Sequence, residues 1–154
     1  MVSKMFENSI KTKGCYLGVD YGDVRTGLAK TDATRFLAAS IGNIQPGGMR
    51  HTAIAVAEEA RKIDAKKIVV GLPKNMNGTE GDRAEKVRAF VSLLKEETDI
   101  PIDMIDERLS TVEAYNYLNE TRTKSKKRRS VIDGLSAQII LQNYIDKEKN
   151  YIDK

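Results

Sequence analysis

Four carboxylates stand where the sequence makes an acid conspicuous. Asp20 closes the apolar run Tyr16-Leu-Gly-Val, Asp106 and Glu107 follow Ile100-Pro-Ile-Asp-Met-Ile105, and Asp133 falls where the last helix is expected to begin. An ionised side chain at the end of a buried run is costly unless it is paired or bound to a cation. Oxygen ligands converging from strand ends and a helix start suit Mg2+ or Mn2+ rather than a softer metal. Two such ions roughly 3.5–4 Å apart can activate a water and stabilise the leaving oxygen of a phosphodiester. Each acid also has a structural explanation. Asp133 is the last residue of Ser130-Val-Ile-Asp133, which reads as a capping box beside a helix dipole. Asp106-Glu107-Arg108 reads as an ion-pair turn, and Asp20-Tyr-Gly-Asp23 as a hairpin of turn residues. Spacing alone leaves both readings open.

Other chemistries are easier to dismiss. The chain has one histidine, His51, at an expected helix start, and one cysteine, Cys15, at the edge of a buried strand. Neither sits beside the acids, so nucleophilic triads lack their parts, and zinc of the Cys/His type lacks ligands. Gly71-Leu-Pro-Lys-Asn-Met-Asn-Gly78 lacks the Gly-Lys-Ser/Thr ending of a phosphate-binding P-loop.

The elements that must position the acids follow from hydrophobic period. Tyr16–Asp20, Thr26–Lys30 and Phe36–Ile41 read as a three-strand meander, and Gln45–Gly48 as a loop. A helix is expected from about Met49 to Ile63, a buried strand at Lys67–Gly71, and a strand at Ile100–Ile105. Thr79-Glu-Gly-Asp82 matches a capping box ahead of Val87, Phe90, Val91 and Leu94 at helical spacing. Ser110-Thr-Val-Glu113 is a second, opening a helix to about Asn119, and Ser130–Asp133 a third, ahead of Leu135, Ile139, Gln142 and Ile145. The order β-β-β-α-β-α-β-α-α implies an α/β fold: a mixed five-stranded sheet with helices on both faces. Sites in such sheets form at the carboxyl ends of the parallel strands, here Asp20, Gly71-Leu72-Pro73 and Asp106-Glu107. Residues 1–14 read as an extension, 15–147 as the domain and 148–154 as a tail.

A chain of 154 residues, 40% hydrophobic and 31% charged, fits one globular domain. The single cysteine and the absence of an apolar leader or bilayer-length run point to a soluble, cytoplasmic protein with no membrane association. Arg122, Lys124, Lys126, Lys127, Arg128 and Arg129 form an acid-free run that outweighs the whole net charge of +4. It reads either as a solvated loop or as the footprint of a polyanionic partner.

Taken together, Leu17-Gly-Val-Asp-Tyr-Gly22, Arg25-Thr-Gly-Leu-Ala29, Val70-Gly-Leu-Pro73, Asn75-Met-Asn-Gly-Thr-Glu-Gly81 and Asp106-Glu-Arg-Leu-Ser-Thr111 resemble the YqgF/RuvX family of pre-16S rRNA nucleases and Holliday-junction-resolvase-like proteins. Lys126-Lys-Arg-Arg through Asp133 and Ile140-Leu-Gln-Asn-Tyr144 extend the resemblance, which covers about Tyr16 to Asp146. It implies an RNase H-like fold and a metal site of Asp20, Glu107 and Asp133 holding Mg2+ or Mn2+. It also implies that Arg25, Lys74 and Arg108 contact phosphates or orient the acids, with Lys126, Lys127, Arg128 and Arg129 gripping the backbone.

The expected activity is phosphodiester hydrolysis in 5′-end maturation of pre-16S rRNA, with the ribosome as a further partner. The alternatives are resolution of branched DNA and a non-catalytic RNA-binding assembly factor. A resolvase needs two active sites and so a dimer, but no dimer face is evident, and a monomer or weak homodimer is expected. The Asp-Tyr-Gly turn also resembles the first phosphate motif of sugar-kinase and actin-like ATPases, which need a second domain that 154 residues cannot supply.

Overall fold

The computed structural model describes residues 14–107 and 125–152, with side chains for 14–107 and 134–151. Five strands form one sheet: β1 (Tyr16–Asp20), β2 (Thr26–Thr31), β3 (Ala38–Ile44), β4 (Lys67–Leu72) and β5 (Ile102–Asp106). Their spatial order is β3-β2-β1-β4-β5. The meander pairs antiparallel, whereas β1, β4 and β5 run parallel. Helices α1 (Met49–Lys62) and α2 (Asp82–Glu97) cover one face, and α3 (Ser125–Ile152) crosses the other. The mixed sheet with helices on both faces is therefore the architecture expected from the sequence.

Strand alternation decides which side chain meets which helix. Leu17, Val19, Ile68 and Val70 pack with Val56 of α1 and Phe90 of α2. Tyr16, Ala29, Val69 and Ile105 pack with Ala137, Ile140, Leu141 and Tyr144 of α3. The helix lies very close to the sheet because glycine faces it: a Cβ on Gly18 would meet the Leu141 Cβ at 2.8 Å and the Ala137 carbonyl at 3.1 Å.

Several boundaries differ from those expected. The third strand starts at Ala38, leaving Phe36 and Leu37 exposed in the turn before it. The fifth ends at Asp106 rather than Ile105. Thr79 does not cap α2, whose N-cap is Gly81. The Thr79 hydroxyl is committed to its own loop, donating to Asn77 Oδ1 at 2.6 Å and accepting from Asn75 Nδ2 at 3.0 Å. Asp82 and Glu85 in the first turn still complement the helix dipole.

The last helix begins at Ser125, not Ser130, so Lys126, Lys127, Arg128 and Arg129 are helical and Asp133 lies beyond the first turn. Lysine and arginine are good helix formers, and no glycine or proline interrupts Ser125–Asp133. The boundary expected at 147 falls inside this helix, which continues to Ile152 and buries Glu148. The helix expected over 110–119 lies outside the described residues.

The far half of α3 is tied to the amino ends of the strands by buried polar groups. Lys67 Nζ donates to the Tyr144 hydroxyl, which donates to Asp103 Oδ2 at 2.9 Å. Tyr16 donates to the Glu148 carboxylate at 2.9 Å and accepts from Arg35 Nη1 at 2.9 Å. Burial pushes the Lys67 ammonium down in pKa, with Glu148 and Asp103 opposing, and pushes the Tyr144 hydroxyl up, reinforced by Asp103.

Candidate active site

The carboxyl edge of β1, β4 and β5 carries Asp20 and Glu107 on the α3 side. Asp20 ends β1, half-buried, directly opposite Gly27 of β2. Val19 faces Val70 across the parallel pair, so the next position sets Asp20 beside Gly71. Both of its sheet neighbours are therefore glycines, and neither puts a side chain against it.

Glu107 follows β5 directly and is held by its backbone N–H, which donates to the Leu72 carbonyl at 3.2 Å. Its side chain is buried, only 8% exposed, and turns back over β4. A Cβ on Gly71 would meet Glu107 Oε2 at 2.9 Å and Cδ at 3.0 Å. The Glu107 carboxylate thus lies over Gly71, in the row beside Asp20. Asp106 shares the alternation of Ile102 and Met104, which pack toward α1 and α2. Of the two adjacent acids, Glu107 is the one on the Asp20 side.

The third expected acid is on α3, and its side chain lies outside the described residues. Its backbone position can still be stated. Helix α3 runs opposite to β1: Glu148 bonds Tyr16, while Ala137 and Leu141 meet Gly18. Four residues before Ala137, position 133 lies about 6 Å further along the helix. Asp20 lies about 6.6 Å beyond Gly18 along the strand. Both steps lead toward the same edge of the sheet, bringing position 133 to the level of Asp20.

Hard divalent cations need oxygen donors and room for their remaining waters. Asp20 and Glu107 supply oxygens, and the glycines at 27 and 71 put no side chain against Asp20 from either neighbouring strand. These residues fit Mg2+ or Mn2+. Among the described residues no three acids, cysteines or histidines cluster closely enough to form a complete ligand set.

The expected basic positions divide. Arg25 is half-buried between β1 and β2, and Lys74 is half-buried in the loop after β4, so both belong to the loops at this edge. Arg108 lies outside the described residues. Lys126, Lys127, Arg128 and Arg129 are placed only by backbone, in the opening turns of α3, upstream of position 133 and so at the same end of the molecule. His51 is exposed, its ring Nδ1 3.0 Å from the Gly47 carbonyl.

The sequence reading missed other parts of this edge. Lys86 of α2 pairs with Asp23 at 2.8 Å, fastening the loop that follows Asp20 to the helix. Gly71 was readable only as the end of a strand. An isolated glycine in a buried Ile-Val-Val run is the signal of a close approach, here by Glu107 and Ile140.

Comparisons with known proteins bear on the family and the fold. The family described as RuvX, Holliday junction resolvase, matches residues 14–147. A protein of Caldanaerobacter subterraneus named "Putative pre-16S rRNA nuclease" is 43% identical over 135 residues, covering 87% of this chain and 97% of the relative. A Clostridioides difficile protein of the same name is 42% identical over 137 residues, covering 89% and 97%. Among solved structures, Thermus thermophilus RuvC in complex with a Holliday junction substrate superposes with a TM-score of 0.52 at 13% identity, covering 89% of this chain and 96% of that one. The fowlpox virus Holliday junction resolvase gives a TM-score of 0.52 at 11% identity, covering 86% and 99%. These likenesses assign the RNase H-like fold of the resolvases. With the family match spanning nearly all of the described sheet and helices, this chain belongs to the RuvX family.

Proposed function

We propose that this chain is a metal-dependent nuclease that hydrolyses phosphodiester bonds in the 5′-end maturation of pre-16S rRNA. The observation that carries the reading is the Glu107 carboxylate lying over Gly71, in the row beside Asp20. Two acids converging at the carboxyl edge of a sheet are costly without a cation. The names of relatives above 40% identity supply the substrate class.

In this reading Asp20, Glu107 and Asp133 hold Mg2+ or Mn2+. When bound, divalent ions supply the positive charge that activates a water and stabilises the leaving oxygen. The protein's own contribution is position. Asp20 is fixed by strand pairing, Glu107 by its N–H to Leu72, and residue 133 by the helix whose far half is anchored at Tyr16 and Lys67. Arg25, Lys74 and Arg108 contact phosphates near the acids, and Lys126, Lys127, Arg128 and Arg129 hold the backbone further out. Such contacts give affinity without sequence information, so the cleavage position is set by the shape of the precursor or by a bound ribosomal particle. The site of action is the cytoplasm, where that precursor is made. No helix among the described residues is long and apolar enough to cross a membrane.

The test is cleavage of a 5′-extended 16S precursor and of a four-way DNA junction, with Mg2+ or Mn2+, by the wild type and by Asp20→Asn. Metal-dependent trimming of the precursor that Asp20→Asn lacks is the expected result. Cleavage of the junction alone would transfer the reading to branched DNA, and equal cleavage by the variant would overturn the site.

A further inference from the structure

We infer that Gly71 is a positioning residue for Glu107: its missing Cβ keeps open the space in which the Glu107 carboxylate lies beside Asp20. The inference rests on the assignment of Glu107 to the acid set, and deepens it. Gly71 does not have the left-handed backbone that would by itself call for glycine; the only unusual thing about its place is what sits above it. An alanine Cβ there would meet Ile140 Cδ1 at 2.5 Å as well as Glu107 Oε2 at 2.9 Å and Cδ at 3.0 Å.

The surroundings otherwise favour a branched side chain. Gly71 is buried in β4, flanked on both sides by strands, and follows Ile68, Val69 and Val70, all fully buried. Glycine in a strand interior gives up roughly 0.5–1 kcal/mol of backbone entropy relative to alanine. Gly18, one strand over on the same face, accepts that cost for helix packing alone, since its neighbours are Leu141 and Ala137. Gly71 differs in having a carboxylate among its neighbours. The Glu107 backbone is fastened to Leu72 of the same strand, so the side chain cannot retreat by moving the chain away. Adding a Cβ must therefore displace the carboxylate from its place over Gly71.

The two crowding groups can be separated. Valine at 140 lacks Cδ1, so Gly71→Ala combined with Ile140→Val relieves the packing clash and leaves only the clash with Glu107. Thermal melting and Mn2+ calorimetry on the full chain, with Mn2+-dependent cleavage, would be measured for Ile140→Val, the double variant and Glu107→Gln. The double variant should melt close to Ile140→Val, yet bind Mn2+ about 10- to 100-fold more weakly, the range for losing a group that orients a metal ligand. Its half-saturating Mn2+ for cleavage should rise by the same factor, with activity returning at high Mn2+. Ile140→Ala is the roomier companion if the valine pair melts early. Mn2+ binding by the folded double variant equal to that of Ile140→Val, while Glu107→Gln loses it, would overturn the role of Gly71 alone. Unchanged Mn2+ binding by Glu107→Gln would overturn the acid assignment and the inference with it.

Discussion

Helix α3 crosses the sheet from one polar cluster to another, and the two are built on opposite plans. At the amino ends of the strands, Lys67 and Arg35 meet Glu148 and Asp103 through the hydroxyls of Tyr16 and Tyr144. Lys67 is 1% exposed and Glu148 4%, with Nζ and Oε2 3.8 Å apart. Cations and anions are matched in number, and hydroxyls carry the bonds between them. At the carboxyl ends, acid is brought toward acid: Glu107 lies over Gly71, next to Asp20, with position 133 at the same level. Burial is similar at the two ends, so burial alone does not mark a functional site. Sign does. A cluster that balances its own charge fastens the helix, whereas two acids set side by side at a sheet edge serve, in the function proposed above, to receive a cation.

The contrast predicts reciprocal effects of mutation. At the acid end, Asp20→Asn should lower metal-dependent cleavage at least about a thousandfold, roughly 4 kcal/mol at 1.36 kcal/mol per tenfold, while melting within a few degrees of the wild type. At the balanced end, Lys67→Met should do the reverse. Removing one partner of a buried pair costs about 3–5 kcal/mol because the other charge loses its match, read as a shift in urea midpoint. Cleavage per folded molecule should persist. Lys67→Met combined with Glu148→Gln should regain most of that stability, since the charge left behind is also removed. A Lys67→Met protein as stable as the wild type would show that the cluster fastens nothing, and the contrast would fail.

Local signals made one end legible in the sequence and hid the other. Asp20 announces itself by ending an apolar run, as Asp106 and Glu107 do together, and the family resemblance is what singles out Glu107 of that pair. The mixed sheet followed from the change of hydrophobic period. Lys67 gave no such signal: its partners Tyr144 and Glu148 lie on the last helix, and only the folded chain brings them together. Two helix starts were misread for a related reason. Thr79 fits a capping pattern but spends its hydroxyl on Asn75 and Asn77. Ser130 fits one too, yet the basic residues before it are themselves good helix formers. Side-chain caps compete with other local bonds, and the pattern does not reveal which will win. Gly71 was visible as a residue, but its meaning depends on a register and on Glu107, the residue after β5.

Between the two ends, α3 also guards the sheet edge, which tests whether fastening depends on charge at all. Ala38 N–H donates to Gln142 Oε1 at 2.9 Å and Ser40 N–H to Gln138 Oε1 at 3.1 Å, so two outward donors of edge strand β3 are taken up by one helix. Gln142 Nε2 also donates to the Phe36 carbonyl at 3.3 Å. Gln142→Ala should cost about 1–2 kcal/mol, the value of a neutral hydrogen bond with a partner left unsatisfied, again by urea midpoint. A loss as large as that from Lys67→Met would mean that the balanced charges add nothing beyond ordinary hydrogen bonding.

The smallest effect belongs to an acid in neither cluster. Asp32, exposed in the β2–β3 turn, accepts from the Thr34 hydroxyl and from the backbone N–H groups of Leu37, Phe36 and Thr34. These bonds hold its carboxyl well below the usual carboxylate range. A depressed carboxylate contributes stability above its unfolded pKa and loses it as pH falls toward the folded value. The wild type should therefore lose stability from about pH 4 downward, and Asp32→Asn should flatten that part of the curve while lowering the melting temperature slightly at pH 7. Solvent screening keeps the difference below about 1 kcal/mol. Melting from pH 3 to 7 checks it, and the wild-type and Asp32→Asn curves should converge at the acid end. If instead Asp32→Asn unfolded the protein as severely as Lys67→Met, an exposed acid satisfied by N–H groups would match a buried ion pair, and the weight given to buried, balanced charge would have to shift to hydrogen-bond count.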